Sequence, residues 1–285
     1  MATIKIVTDS TADISKEIAE RWGIHVVPLK VHVDTKTYLD GIEITPSTFF
    51  EKLENTNQFP STSQPPPIQF ETMYREILES EGADTQIISI HLSSALSGTY
   101  QSANLAKNMM GDEVDIDVID SKKASYMLGM IVVEAAKAAE QGNTKEECLA
   151  LIEKMIREQK EFFLVDTLTY LQKGGRIGRA QAVVGTLLNV KPILALNESG
   201  EVYPFEKVRG KRKALATIID ECKSYAHDEK VIVSILYGLN RAEAEQLKET
   251  LMSEFNIQEV TFAQIGPVIG AHVGPQALAV VMYKP

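Results

Sequence analysis

The chain has few of the residues that support metal-dependent or secreted folds. It holds only two cysteines, Cys148 and Cys222, which lie far apart and form no C-x-x-C pair. That spacing offers no zinc framework, and two isolated cysteines are typical of a reducing compartment. The start of the chain lacks the basic residues and the longer apolar stretch of a signal peptide. We therefore expect a cytoplasmic protein with no metal site.

Positive charge is also scarce, because 29 basic residues against 39 acidic ones give a net charge of −10. This balance excludes a general nucleic-acid or anionic-membrane surface. One segment, Ile265–Tyr283, has no charged side chain and is about long enough to span a bilayer. It contains three glycines and two prolines, however, so we expect two buried strands joined by a turn. No nucleic-acid partner and no integral membrane insertion are predicted.

Common catalytic and nucleotide-binding motifs are missing as well. The sequence has neither the G-x-G-x-x-G nor the G-x-x-x-x-G-K-[ST] phosphate loop, and neither H-E-x-x-H nor G-x-S-x-G. No cofactor is predicted, and nothing in the sequence demands catalysis.

The apolar pattern predicts an α/β protein of two domains. A chain of 285 residues, 44% of them apolar, has room for one large core or two ordinary ones. Over residues 1–160, short apolar runs alternate with helical patterns, which favours a mostly parallel sheet flanked by helices. Over residues 161–285, a hairpin signal at Glu198–Glu201 is mixed with helices, which favours an α+β domain. We expect one strand over His25–Val33 and an irregular loop over Asn55–Pro67.

Three polar segments are candidates for a binding site. Ser93–Thr99 follows a strand and opens a helix, where backbone N–H groups attract anions. Ser61–Pro65 places three hydroxyls before a rigid turn, and Gly266–Pro275 surrounds His272 with small and apolar residues. Each has a plain structural alternative: helix capping for the first, an exposed loop for the second, and a satisfied core histidine for the third.

Two basic clusters stand out in an acidic chain. Lys207–Lys213 contains five basic residues, among them Arg209, and Lys173–Arg179 contains three, among them Arg176. One interpretation is a surface that binds phosphate or an acidic partner. The other is that these residues are simply exposed to solvent.

Six segments in order give the chain a resemblance to a known family. They are Thr8–Ser10, Thr62–Pro65, Ser93–Tyr100, Gly175–Gly178, Lys191–Ile193 and Gly266–Pro275. Together they resemble the DegV family across nearly the whole chain. Members of that family bind a long-chain fatty acid between two α/β domains, and some are the fatty-acid-binding subunits (FakB) of bacterial fatty acid kinase. The resemblance implies a fatty-acid ligand and an ATP-binding kinase subunit as partner.

The same resemblance implies roles for individual residues. Thr62 and Ser94 would bind the carboxylate, with His272 close to it. Further ligand contacts are expected at Ser63, Ser93, Ser97 and Gly98. Arg209, and less directly Arg176, would serve contact with the kinase or phosphoryl transfer.

Two other functions remain open from the sequence. The first is a hydrolase or phosphatase that acts alone, using Ser94 and a nearby histidine. The second is a regulatory lipid-binding protein without a kinase partner.

Overall fold

The computed structural model describes residues 3–56, 58–111, 113–185 and 190–285. Its strands are, in chain order, β1 Ile4–Asp9, β2 His25–Val27, β3 Lys30–Val33, β4 Lys36–Leu39, β5 Ser61–Ser63, β6 Gln86–His91, β7 Ile116–Asp120, β8 Lys160–Leu164, β9 Val190–Leu196, β10 Val202–Arg209, β11 Val231–Tyr237, β12 Ile257–Gln264 and β13 Leu278–Tyr283.

The helices are α1 Lys16–Arg21, α2 Pro46–Asn55, α3 Pro67–Glu81, α4 Thr99–Met110, α5 Tyr126–Glu140, α6 Lys145–Glu158, α7 Thr169–Lys173, α8 Lys211–Ala226, α9 Arg241–Glu254 and α10 Pro267–Val273. Two short 3₁₀ turns cover Ser10–Ala12 and Gly178–Val183.

The first sheet is entirely parallel, with the order β2-β1-β6-β7. Its central strands are rich in Ile and Val and are buried on both faces, as parallel strands covered by helices are. On β6, Ile87 packs in the core with α3 and α4, whereas its neighbour Ile88 packs against α5. The predicted parallel sheet flanked by helices is confirmed.

The second sheet is mixed, with the order β10-β9-β8-β13-β11-β12, and only β11 and β12 run parallel. Helices α8 and α9 pack on one face around residues such as Ile218, Leu247 and Val233. The β9–β10 hairpin turns where Glu198–Glu201 predicted it. The mixed strands and helices of this half agree with the α+β expectation.

Helix α5 lies between the two sheets. Most of its side chains are buried, and they share one core with residues of both sheets. A helix that is apolar on all sides belongs in the interior of a protein. Because α5 packs on both sheets, the division into residues 1–160 and 161–285 stays a prediction.

A small antiparallel sheet, β4-β3-β5, corrects two expectations. His25–Val33 is not one strand, because β2 joins the parallel sheet while β3, after Pro28 and Leu29, joins the small one. Proline has no N–H for a ladder and disfavours continuation of a strand. The segment Asn55–Pro67 is not wholly irregular, since β5 pairs with β3. That pairing is long-range and leaves no periodic signal in so short a segment.

The third correction concerns Ile265–Tyr283, where α10 replaces the first of the two expected strands. Pro267 occupies the first turn of α10, a position that proline favours. Gly270 packs so closely on α2 that a Cβ there would lie 2.9 Å from Phe50 Cζ. The glycine therefore serves helix packing rather than a turn.

Candidate functional site

A cavity of about 310 Å³ lies between the second sheet, strand β5 of the small sheet, the segment that follows β6, the start of α5, and α10. This is the lower end of the volume range of small-molecule sites, roughly 300–1,000 Å³. Its walls are mainly apolar and come from Leu29, Leu92, Leu96, Ala124, Met127, Phe163, Leu171, Leu196, Val202, Leu236, Ile265, Val268, Ile269, Val273, Ala277, Leu278 and Ala279. Its polar lining residues are Thr62, Ser63, Gln64, Ser97, Ser125, Arg176 and His272.

The polar end of the cavity is built around a contact between Thr62 and His272. Thr62 Oγ1 lies 2.9 Å from His272 Nε2, although 210 residues separate them in the chain. Strand β5 places Thr62 opposite Val31, and the last turn of α10 places the histidine. A Cβ on Gly174 would lie 2.1 Å from His272 Nδ1, so only glycine admits the imidazole there.

Electrostatics make His272 a neutral group. Burial, and next the positive charge of Arg176, lower the pKa of His272 to about 4. Its Nδ1 is buried and has no hydrogen-bond partner among the described residues. Nδ1 packs against Gly174, so Nε2, beside Thr62, is the ring nitrogen at the polar end of the cavity.

Arg176 gives the cavity its positive charge. Its Nε donates to the carbonyl of Leu96 at 3.0 Å, and its Nη1 donates to the carbonyl of Gly174 at 2.7 Å. The side chain is half-buried and lines the cavity beside His272. The family resemblance implies that Arg176 serves contact with the kinase or phosphoryl transfer, and the structure places its side chain in the cavity wall.

Ser63 and Ser97 also line the cavity, and the glycine after Ser97 packs against Gln64, another lining residue. Ser63 Oγ lies 3.1 Å from His32 Nε2, and Ser97 Oγ lies 2.9 Å from Thr99 Oγ1. A Cβ on Gly98 would lie 2.3 Å from Gln64 Oε1, so glycine lets Gln64 cross the start of α4.

Ser93 and Ser94 do not belong to the described cavity lining, and their hydroxyls donate hydrogen bonds to other residues. The Ser94 amide donates to Asp120 Oδ1 at 3.1 Å, and its hydroxyl donates to the same carboxylate. The Ser93 hydroxyl donates to the carbonyl of Gly200 at 2.9 Å, which ties the first half of the chain to the β9–β10 turn. The structure therefore does not bring Ser94 to Thr62 and His272.

Arg209 is exposed at the end of β10 and does not belong to the described lining. Its neighbour Lys211 pairs with Glu243 at 2.6 Å. These residues form a basic surface that is separate from the polar end of the cavity.

Sequence reasoning missed Gln64 and Ser125 as site residues. Gln64 lines the cavity, and its amide donates to Ser102 Oγ at 3.2 Å. It stands inside the segment Thr62–Pro65, so its position was a usable signal. Ser125 follows no such motif, because only the start of α5 brings it to the wall.

A second histidine cluster has the residue types of a serine hydrolase, but a substrate cannot reach it. Ser89 Oγ lies 2.7 Å from His91 Nε2, and His91 Nδ1 lies 3.0 Å from Asp9 Oδ2. The three residues are fully buried, and Tyr74 donates to the Ser89 hydroxyl at 2.8 Å. None of them belongs to the described cavity lining, so this arrangement meets no substrate.

Within the described ranges, no three His, Cys, Asp or Glu side chains are arranged to hold a metal ion. Across the same residues, every helix is too short or too polar to cross a lipid bilayer.

The comparisons with known proteins cover the whole fold. A family model described as "Uncharacterised protein, DegV family" matches residues 3–285. The chain belongs to the DegV family. A DegV domain-containing protein of Caldanaerobacter subterraneus is 38% identical over 281 residues, which cover 98% of each chain.

Two solved DegV structures share the fold closely. A DegV family protein of Thermus thermophilus, described by its fatty acid binding, has a TM-score of 0.92 and 38% identity, and the match covers 99% of this chain and 100% of that one. DegV of Bacillus subtilis, described as a fatty acid binding protein, has a TM-score of 0.89 and 34% identity, and the match covers 99% of both chains.

Proposed function

We propose that this DegV protein binds a long-chain fatty acid in the cavity, with the carboxylate at Thr62, Arg176 and His272. The observation that carries the proposal is one cluster of polar groups, including a cation, in a cavity whose other walls are almost wholly apolar. An amphipathic molecule with one anionic end matches that distribution. The descriptions of the two solved relatives support the same ligand class.

The polar cluster would orient the acid. A carboxyl group titrates near pH 4 and is therefore ionised at neutral pH, and burying its charge requires hydrogen bonds. Arg176 offers a guanidinium, and Thr62 offers a hydroxyl that can donate to the acid while its oxygen accepts from the Nε2–H of neutral His272. Each hydrogen bond to a charged acceptor contributes about 1.5–3 kcal/mol, which mostly offsets the loss of hydration.

The apolar walls would supply the affinity. A chain of about 15 methylenes contributes roughly 0.8 kcal/mol for each one buried, or about 12 kcal/mol in total. Association costs at least several kcal/mol of this. The head group would therefore set the orientation, and the tail would set the strength of binding.

We further propose that the bound acid is presented in the cytoplasm to a separate ATP-binding kinase subunit. In that step a carboxylate oxygen would bond to the γ-phosphorus of ATP, and the bond to ADP would break. The lack of a nucleotide-binding motif in the sequence supports a separate kinase. The exposed Arg209 with its basic neighbours supports a docking surface, and the two free cysteines, both buried, agree with a reducing compartment.

The two alternatives have less support. A hydrolase acting alone would need an activated nucleophile in the cavity, whereas the histidine cluster of Ser89 and His91 is buried away from it. A regulatory lipid-binding protein would have the same cavity, so only the kinase separates it from the carrier. Incubation with ATP and a DegV-partner kinase should yield acyl phosphate if the carrier proposal is right.

Native mass spectrometry of the freshly purified protein tests the ligand. We expect an adduct with the mass of a fatty acid that denaturation removes, and uptake of palmitate by the delipidated protein. Ala279→Leu should fill the cavity and weaken uptake at least tenfold, because displaced methylenes contribute roughly 0.8 kcal/mol each. The matched control Ala242→Leu, at an exposed helix position, should bind normally. A protein that is always empty and takes up no palmitate would end the proposal.

A further inference from the structure

Three carboxylates lie near one another close to the starts of α5 and α10, and the binding site described above uses none of them. Asp9 ends β1, Asp13 follows the first 3₁₀ turn, and Asp40 follows β4. Asp9 and Asp40 are buried, at 0% and 4% exposure. A Cβ on Gly266 would lie 2.3 Å from Asp13 Oδ1 and 3.8 Å from Asp40 Oδ1. The carboxyl groups of Asp13 and Asp40 therefore reach the same point at the start of α10.

Asp13 joins the starts of two helices that line the cavity. Its Oδ1 packs against Gly266, at the start of α10, where a Cβ would lie 2.3 Å away, and its Oδ2 accepts a hydrogen bond from the Ser125 hydroxyl, at the start of α5. Helix α10 contributes Val268, Ile269 and His272 to the lining, and Ser125 itself lines the cavity. The position of one carboxylate is thus linked to both walls.

The Ser125 backbone is strained at this joint. Its φ of +54° and ψ of −152° lie close to a region that is essentially reserved for glycine. Asp13 also has a positive φ, +51°. Strained residues persist only where their surroundings hold them, and the Asp13–Ser125 hydrogen bond is such a restraint.

Several other polar and charged groups surround the carboxyl groups of Asp13 and Asp40. From β1 and its turn come the Asp9 carboxylate and the Ser10 hydroxyl, which donates to Asp40 Oδ2 at 2.8 Å. His91 on β6 contacts Asp9 from behind. Glu43, in the turn after β4, accepts from the Leu39 amide. Helices α5 and α10 present the Ser125 hydroxyl and the Gly266 amide.

We propose that the Asp13–Asp40 pair is a proton-dependent anchor of helix α10, which makes retention of the ligand in the cavity depend on pH. Two carboxylates that approach the same turn repel each other, so the closed arrangement is more stable while one of them carries a proton. When the last proton leaves, repulsion between the charges weakens the joint that holds α10 and Ser125. The link to ligand retention rests on the proposed function, but the anchor itself does not.

The titration range follows from the surroundings. Burial raises the pKa of Asp40 to about 7, and burial also raises the pKa of Asp13 well above its ordinary value. A raised pKa stabilises the closed arrangement at low pH, and that stabilisation is lost as the pH rises through 7. If opening restores the ordinary pKa of Asp40, the opening equilibrium increases about tenfold between pH 6 and pH 8 and then levels off.

The first arm of the test needs no lipid. In ligand-free protein with ¹³C-labelled aspartate, one carboxyl resonance should titrate near pH 7 and should be missing in Asp40→Asn. Amide hydrogen exchange of α10, corrected for the intrinsic rate at each pH, should be faster at pH 8 than at pH 6 in the wild type. It should be equal at both pH values in Asp40→Asn, while the exposed control Asp84→Asn should behave as the wild type.

The second arm uses palmitate release. We expect dissociation about tenfold faster at pH 8 than at pH 6, and no such difference in Asp40→Asn. Absence of any aspartate titrating above pH 5, or α10 exchange that ignores pH, would overturn the anchor. Palmitate release that ignores pH while α10 exchange follows it would overturn the link to retention. If palmitate does not bind at all, the proposed function fails, and the lipid-free arm still decides the anchor.

Discussion

Two histidine clusters in this DegV protein have similar chemistry and opposite surroundings. His91 contacts Ser89 and Asp9 in a fully buried chain, whereas His272 contacts Thr62 at the wall of a cavity. The buried chain is the closer match to a hydrolase by residue type. The cavity pair has no carboxylate partner in the described structure, but it has Arg176 beside it and lines the cavity. Whether a ligand can reach the histidine, rather than the types of residue around it, therefore distinguishes a stabilising network from a binding site.

The largest effect that would sharpen this comparison is expected at Asp9. Asp9→Ala leaves four buried groups without their partner: the Leu92 amide, His91 Nδ1, and the amide and hydroxyl of Thr11. Each unpaired buried donor costs about 1–3 kcal/mol, so we expect a loss of at least about 4 kcal/mol in the free energy of unfolding. Chemical denaturation of the lipid-free protein measures it. The control Asp84→Ala, at an exposed turn, should change stability by less than about 0.5 kcal/mol. Equal, small losses in both variants would contradict a structural role for the buried chain.

The cavity pair should show the reverse pattern, with an effect on binding rather than on folding. Thr62→Val keeps the shape of the side chain but removes one hydroxyl donor to the carboxylate. A hydrogen bond to a charged group contributes about 1.5–3 kcal/mol, so the Kd for palmitate should rise roughly 10- to 100-fold while stability changes little. Isothermal titration calorimetry measures the Kd.

Ser94→Ala is the matched comparison for Thr62→Val. Because the Ser94 hydroxyl donates to Asp120 outside the described lining, we expect it to change the Kd by less than about threefold. If it weakens binding as much as Thr62→Val does, Ser94 contacts the carboxylate, as the family resemblance implies.

The smallest effect is expected at Gly98, next to the lining residue Gln64. Gly98→Ala would displace Gln64 from its hydrogen bond with Ser102. The end of a flexible side chain can move, so the loss is one hydrogen bond, about 0.5–1.5 kcal/mol. Palmitate should dissociate roughly two- to tenfold faster in a stopped-flow measurement. Gln64→Ala removes the same bond without the steric clash and should give the same rate. A faster dissociation in only one of the two variants would show that the Gln64–Ser102 hydrogen bond does not slow the release of palmitate.

Local patterns were sufficient for most of the secondary structure. The Thr45–Pro46 and Thr144–Glu147 signals predict helix starts that α2 and α6 confirm. Such caps depend on residues three or four apart, so the sequence displays them directly. The failures were the break between β2 and β3, the strand β5 and the helix α10, whose conformations depend on partners far along the chain.

The site could be predicted by segment but not by contact. The segments that contain Thr62 and His272 stand out by composition, yet their 2.9 Å contact joins a strand of the small sheet to a helix 210 residues away. Ser93 and Ser94 stand out equally in the sequence and face other partners. A motif identifies hydroxyls near a helix start, but the register of a few residues decides which ones face a cavity.

By itself, the sequence determined the parallel sheet in the first half of the chain and the hairpin in the second half. It also determined which segments of small and hydroxylated residues are candidates for a binding site. These follow from periodicity, capping and turn chemistry, which act over a few residues. Only the tertiary structure decided that Arg176 lines the cavity, that His91 does not, and that Asp13 and Asp40 meet at the start of α10. Burial and electrostatic coupling depend on which distant residues pack together, and no local pattern records that.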